Sequence, residues 1–118
     1  MTEEIQEARL PVHLWIDAQL RPLADRGIYY YIRQRGERNT GVILLKLNGL
    51  LGECRLLVQQ RDLDGALGWM NALGQERVEE TAADAYIQRT CQRDPDLWVI
   101  EIEDKAMDNP FEGAMISL

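Results

Sequence analysis

Hydrophobic residues recur at helical spacing in two stretches of the chain. The first stretch follows Pro11 and ends at Gly27, and its apolar residues are Val12, Trp15, Ile16, Leu20 and Leu23. The second ends before Asp94, and its apolar residues are Ala82, Ala83, Tyr86, Ile87 and Cys91. We therefore predict two amphipathic helices, with Thr81 and Asp84 forming a capping box at the start of the second.

Four other stretches alternate apolar and polar residues, as β-strands do. They are Ile28 to Arg35, Val42 to Leu47, Cys54 to Gln59 and Leu97 to Glu103. Polar turn residues separate the first three, which predicts a three-strand antiparallel meander whose first two strands form a hairpin. The alternation gives each strand an apolar face that we assign to the core: Ile28, Tyr30 and Ile32; Ile43, Leu45 and Leu47; Cys54, Leu56 and Val58; Trp98, Ile100 and Ile102.

The order of these elements predicts an α+β fold. Its sheet is mainly antiparallel, made of the three-strand meander and the C-terminal strand, and two helices cover it. We expect a flexible N-terminus over residues 1–8, a single domain over residues 9–104, and a tail over residues 105–118 that either docks or stays mobile. The pattern assigns Arg61 to Gln75 to neither strand, helix nor loop, and it gives neither the strand order nor the oligomeric state.

Bulky apolar residues outside the assigned core predict a surface for protein contacts. Tyr29 and Tyr31 lie on the outer face of the first strand, and Trp69 and Met70 lie among glycines in the unassigned stretch. An outer face of this mixed character needs a helix, a second subunit or a partner over it. For Trp69 and Met70 the alternative is that they close one edge of the core.

The charge balance narrows the expected partners. The chain has 118 residues, with 13 Lys and Arg against 20 Asp and Glu, which gives a formal net charge of −7. This balance argues against nucleic acid and anionic membranes, and no apolar run reaches the roughly 20 residues of a membrane-spanning helix. The first residues are acidic, unlike a signal peptide, and Cys54 and Cys91 lie in apolar patterns. We expect a cytoplasmic protein whose partner is a second copy or an unidentified protein.

Carboxylates at the end of the last strand are candidates for chemistry. Glu101, Glu103 and Asp104 would hold the metal of a carboxylate-based, metal-dependent hydrolase, with Lys46 as electrostatic support. The simpler alternative is that the two glutamates form cross-strand ion pairs with Arg33, Lys46 or Arg55. We favour the ion pairs because charged alternation is common on sheet faces that carry no site.

Other catalytic and cofactor-binding patterns are missing from the sequence. The chain has one histidine, a single serine beside its end, and neither a CxxC pair nor a glycine-rich phosphate loop. Such a composition argues against a zinc site, a serine nucleophile and a nucleotide-binding loop. We therefore expect no catalytic residue and no cofactor.

The run DPDLWVIEIED, from Asp94 to Asp104, resembles a motif of a small bacterial family of domains of unknown function. Arg9-Leu10-Pro11 leading to Trp15, and GVILLKLN from Gly41 to Asn48, agree with it. The resemblance implies a cytoplasmic single-domain protein with no assigned activity. It draws attention, without giving a role, to Lys46, Asn48, Asp94, Asp96 and Trp98. We expect a small cytoplasmic binding or accessory domain acting through protein interaction, with the hydrolase as the alternative.

Overall fold

The computed structural model describes residues 10–116, which form two helices and one seven-stranded sheet. The helices are α1, Val12–Asp25, and α2, Glu80–Arg93. The strands are β1 Tyr29–Gln34, β2 Ile43–Asn48, β3 Glu53–Arg61, β4 Leu67–Asn71, β5 Val78–Glu79, β6 Trp98–Glu103 and β7 Ala114–Met115. The predicted α+β class is therefore confirmed, whereas the flexible N-terminus predicted for residues 1–8 lies outside the described residues. None of the described helices is long and apolar enough to cross a membrane.

The sheet is mixed, so the prediction of a mainly antiparallel sheet is wrong. Its strand order is β1-β6-β2-β3-β4-β7, and β5 pairs with β3 off this path. β6 pairs antiparallel with β1 but parallel with β2, and β7 pairs parallel with β4. Because β6 inserts between β1 and β2, the predicted hairpin and the predicted three-strand meander are also wrong. The consecutive antiparallel strands are instead β2, β3 and β4.

A helix covers each face of the sheet, and we name the faces after the helices. The core on the α1 face consists of Ile16, Leu20, Leu23, Ile43, Leu45, Leu47, Leu57, Trp69, Trp98, Ile100, Ile102, Met107 and Phe111. The core on the α2 face consists of Leu44, Cys54, Leu56, Val78, Ala83, Ile87, Leu97 and Val99. All six residues of β2 are buried as a result, as expected of a central strand packed on both faces.

The predicted core residues Cys54 and Leu56 of β3 are buried, but on the opposite side of the sheet from the predicted core residues of β2. Leu57 lies opposite Leu45 in the β2–β3 register and belongs to the α1 face, while Cys54 and Leu56 belong to the α2 face. Both faces of this strand carry leucine, so the alternation alone did not distinguish them.

The predicted capping box at the start of α2 is absent. The helix begins at Glu80 with Glu79 at the N-cap position, and no side chain makes a capping hydrogen bond there. Asp84, the proposed member of the box, is instead hydrogen-bonded to side chains of the sheet. These partners lie under the helix rather than at its end, which is why a local motif did not reveal them.

Residues 104–116 run across the α1 face, and we call them the C-terminal segment. Met107 and Phe111 of this segment are buried. The Phe111 ring centroid lies 5.4 Å from that of Trp15 and 5.6 Å from that of Trp69. The Trp69 indole N–H donates a hydrogen bond to the Glu112 carbonyl at 2.9 Å. The segment therefore completes the core on the α1 face and covers Trp69.

Candidate functional site

Six polar side chains meet between α2 and the sheet, and we call them the polar cluster. They are Arg33, Lys46, Asn48, Glu80, Asp84 and Glu101. The parallel register of β2 and β6 places Lys46 opposite Glu101, so the two side chains share the α2 face. Although the cluster is charged, Lys46 is only 1% exposed and Glu101 only 2%.

Lys46 is the centre of the polar cluster. Its Nζ donates hydrogen bonds to Glu80 Oε2 and to Asp84 Oδ1, both at 2.8 Å, and lies 3.4 Å from Glu101 Oε2. Burial would lower the pKa of Lys46, but the hydrogen bonds and the three carboxylates outweigh it and raise the pKa above its ordinary value. Lys46 therefore stays protonated and joins α2 to the sheet.

Arg33 and Asn48 complete the hydrogen bonding of the buried Glu101 carboxylate. Arg33 Nη1 donates to Glu101 Oε1 at 3.1 Å and to Asp84 Oδ1 at 2.9 Å. Asn48 Nδ2 donates to Glu101 Oε2 at 3.0 Å and to Glu80 Oε2 at 3.1 Å. Two cations and an amide thus serve three carboxylates, which is how a buried charge is retained in a fold.

The candidate metal ligands are not arranged around a common point. Within the described range, no three Asp, Glu, His or Cys side chains come together as metal ligands would. Asp104 Oδ1 accepts a hydrogen bond from the Ala106 backbone N–H at 3.1 Å and so forms a turn. Glu101 makes the cross-strand ion pairs with Arg33 and Lys46 that were the simpler alternative. No observation here favours the hydrolase.

Arg55, a proposed ion-pair partner, and Glu103, a proposed metal ligand, lie outside the polar cluster. Arg55 is on the α1 face, where its Nη1 donates to the Met107 carbonyl at 3.1 Å. Glu103 is half-buried and lies opposite Tyr29 in the β1–β6 register. Neither side chain contacts the polar cluster through a hydrogen bond or ion pair that the described residues form.

Three of the motif residues anchor the loop between β1 and β2. Asp94 Oδ1 accepts a hydrogen bond from the Asp96 backbone N–H at 3.0 Å, and the Asp96 carbonyl accepts one from Glu37 N–H at 3.0 Å. The Trp98 indole N–H donates to the Glu37 carbonyl at 2.7 Å. A Cβ atom at Gly41 would lie 2.6 Å from the Asp96 carbonyl, so the loop packs tightly on β6. These contacts give the motif a role in holding the fold.

The predicted contact residues are divided between the surface and the core. Tyr29 is 61% exposed and Tyr31 37%, and their ring centroids lie 5.6 Å apart at the outermost strand. Trp69 is 0% exposed, which is the core closure proposed as the alternative, and Met70 is half-buried on the α2 face. Of these four predicted contact residues, only Tyr29 and Tyr31 therefore offer an exposed aromatic surface.

Glu80 and Asp84 are the members of the polar cluster that sequence reasoning missed. They lie one helical turn apart, so both point to the same side of α2. The available signal was this acidic pair together with a lysine inside an otherwise apolar strand, Leu44 to Leu47. A buried lysine needs carboxylate partners, and the nearest predicted helix offered them.

Comparison with known proteins places this architecture among relatives. The family model "Protein of unknown function (DUF1491)" matches residues 10–112. A crystal structure of a DUF1491 family protein from Caulobacter crescentus CB15 is 28% identical, with a TM-score of 0.80 over 91% of this chain and 99% of that one. An NMR structure of a DUF1491 family protein from the same organism gives 28% identity and 0.77, over 92% and 97%.

A more distant likeness concerns the fold alone. A solution structure of a protein from A. tumefaciens is 21% identical, with a TM-score of 0.65 over 88% of this chain and 99% of that chain. Among curated proteins, none matches this chain.

Proposed function

The chain belongs to the DUF1491 family of proteins of unknown function, and we propose that it is a small binding or accessory domain that acts through protein interaction. The observation that carries the proposal is the outer edge of β1. This strand ends the sheet on one side, and it bears the exposed pair Tyr29 and Tyr31.

An edge strand offers unpaired backbone groups to another strand. β1 has six residues, and its exposure alternates along its length. At the other end of the sheet, the two-residue strand β7 already pairs with β4. Among the strands that the structure describes, β1 is thus the long edge strand, with one side not paired to another strand. Extended segments of partner proteins commonly add to such an edge through main-chain hydrogen bonds.

The tyrosine pair gives this edge a preference for particular partners. Tyrosine supplies a large contact area at a small cost in conformational entropy and is enriched at interfaces. The partner segment is therefore expected to be extended and to place an apolar side chain over Tyr29 and Tyr31. A second copy would meet both requirements, with β1 of each chain antiparallel across a twofold axis.

A cytoplasmic location belongs to the same proposal. It is supported by the free thiols of Cys54 and Cys91, which suit a reducing compartment. The acidic net charge supports a protein partner over nucleic acid or an anionic membrane. The polar cluster supports binding over catalysis because its groups are already paired with one another.

Sedimentation over a wide concentration range tests the second copy as the partner. The average mass of the wild type should rise toward twice that of the monomer, while Tyr29→Lys combined with Tyr31→Lys stays monomeric. Leu63→Lys is the matched control, because Leu63 is 100% exposed in the turn between β3 and β4. It should associate like the wild type.

If the wild type remains a monomer at every concentration, the second copy is overturned and the partner is another protein. A photo-reactive residue at Tyr29 would then capture that protein in the source cell's lysate. Hydrogen exchange on the purified pair must show slower exchange at Tyr29–Gln34. Protection elsewhere on the chain, with β1 unchanged, would overturn the interaction at this edge.

A further inference from the structure

A cleft of about 490 Å³ lies where the start of α1 meets the end of β3. β3 and β4 contribute Gln59, Arg61 and Leu67 to its lining. α1 contributes Val12 and Trp15, and the rest comes mainly from the loop that precedes β2, residues 39–42. Small-molecule sites commonly enclose roughly 300–1,000 Å³, so the cleft is large enough for a small organic ligand.

One part of the lining is apolar and open to solvent. Val42 is 45% exposed and Leu67 44%, although both are apolar. Trp15 lies beside them, and its ring is held against Phe111 at a centroid distance of 5.4 Å. Exposed apolar side chains gathered in a concave site, with one fixed aromatic ring, are typical of ligand pockets.

The polar part of the lining favours an anion. Arg61 is the one charged residue among the described lining residues, and none of them is acidic. Arg61 Nη1 donates to the Gly65 carbonyl at 2.6 Å, which orients the guanidinium. The first backbone N–H groups of α1, at Val12 and His13, already donate to the Asn39 and Arg38 carbonyls, so the guanidinium is the positive group that the cleft offers to a ligand.

We propose that this cleft binds a small amphipathic anion, whose apolar body lies against Trp15, Val42 and Leu67 and whose carboxylate pairs with Arg61. The apolar contacts supply affinity, and the guanidinium sets the sign of the ligand's charge and its orientation. The site is separate from the polar cluster, which lies on the opposite face of the sheet, and from the edge of β1.

Octanoate is the probe, with octan-1-ol and octylammonium as matched ligands of the same chain length. Titrations followed by the amide signals of Thr40, Gly41 and Arg61 and by the Trp15 indole signal locate the site. Octanoate should bind saturably there, about tenfold more tightly than octan-1-ol, as one charge-assisted hydrogen bond would give. Octylammonium should bind more weakly than the alcohol.

Two substitutions test the charge. Arg61→Gln should remove the tenfold preference for octanoate over octan-1-ol. Arg89→Gln, at an exposed position of α2 outside the cleft, should keep this preference. Val42→Glu places a carboxylate at a 45% exposed position in the lining, where it would offset the charge of Arg61 and should weaken octanoate binding more than octan-1-ol binding. Equal affinity of the wild type for all three ligands would overturn the anion preference. The absence of saturable octanoate shifts at these signals would overturn the site.

Discussion

Lys46 holds α2 to the sheet more directly than any other member of the polar cluster. Its side chain is 2% exposed and serves two helix carboxylates and the buried Glu101. Lys46→Met keeps most of the aliphatic stem but leaves these carboxylates without their shared cation. Removing one partner of a buried ion pair costs roughly 3–5 kcal/mol. Because Glu101 keeps Arg33 and Asn48, we expect a loss of about 3 kcal/mol in the free energy of unfolding, measured with urea.

The exposed pair of Arg21 and Asp17 provides a matched control. Their side chains are 78% and 59% exposed, one helical turn apart on α1. Arg21→Met makes a comparable change in charge and shape, but it should cost less than about 0.5 kcal/mol, because solvent screens the pair. If Lys46→Met costs no more than Arg21→Met, the polar cluster does not stabilise the docking of α2.

Asp84 makes the stability of the fold depend on pH. Burial would raise the pKa of its carboxyl, but hydrogen bonds from Lys46 and Arg33 outweigh this and lower the pKa below its ordinary value. Such a carboxyl stabilises the fold above its unfolded pKa of about 3.9. The stabilisation disappears as the pH falls through the lower, folded pKa. Asp84→Asn should therefore be less stable than the wild type at neutral pH, with the difference shrinking below about pH 4.

Urea midpoints measured for both proteins from neutral to acidic pH would check this expectation. A constant difference between the wild type and Asp84→Asn across the acidic range would assign the acid sensitivity to other carboxyls.

The positions of helices and strands were predicted from the sequence more accurately than the face of the sheet to which each side chain points. The two helices and the strands β1, β2, β3 and β6 lie where their periodicity predicts them. Leu56 and Leu57 show the limit of the method, because each fits an apolar core and only the pairing with β2 decides between them. Because helices cover both faces of the sheet, its central strands have no polar face that would show which side chains point to which core.

The strand residues of the polar cluster could be predicted from the alternation, but its helix residues could not. Alternation placed Lys46 and Glu101 on a common type of face, and a cross-strand ion pair between them was among the expected pairs. Glu80 and Asp84 required the rotation of α2 about its axis, which depends on tertiary packing. Asp84 accepts hydrogen bonds from Arg33 and Lys46 of the sheet and does not form the predicted capping box.

The pairing of β7 with β4 depends on the absence of a side chain at Gly68. A Cβ atom there would lie 2.5 Å from the Ala114 carbonyl and 2.8 Å from the Ile116 side chain. Gly68→Ala should therefore displace β7, at a cost of about 1–3 kcal/mol. The Ile116 backbone N–H, which donates to the Trp69 carbonyl at 2.8 Å, should exchange with solvent faster.

A chain that ends at Glu112 serves as the control, because it lacks both Ala114 and Ile116, the two residues that the new Cβ would meet. In that chain Gly68→Ala should change the stability little. Unchanged exchange at Ile116 in the full chain would mean that the contact with Gly68 does not hold β7 in place.

At the scale of the whole molecule, the central strands join the two cores. β2 sends Leu45 to the α1 face and Leu44 to the α2 face, and β6 likewise sends Ile100 and Val99 to opposite faces. β6 is also the last long strand in sequence, although it lies between β1 and β2. The sheet is therefore complete only after nearly the whole chain is present. Because both cores are built on the same central strands, one core should not unfold while the other remains folded.

Cys54 reports directly on whether the two cores open together. It is 0% exposed on the α2 face, and burial raises the pKa of its thiol to about 11, so Cys54 should not react with thiol reagents while the protein is native. In a Cys91→Ser background, which removes the half-buried second thiol, Cys54 should become labelled only through global unfolding. The free energy of opening obtained from its labelling rate should then equal the free energy of unfolding obtained with urea. A clearly smaller value would show that α2 detaches from the sheet by itself, and that the shared strands do not make the fold one cooperative unit.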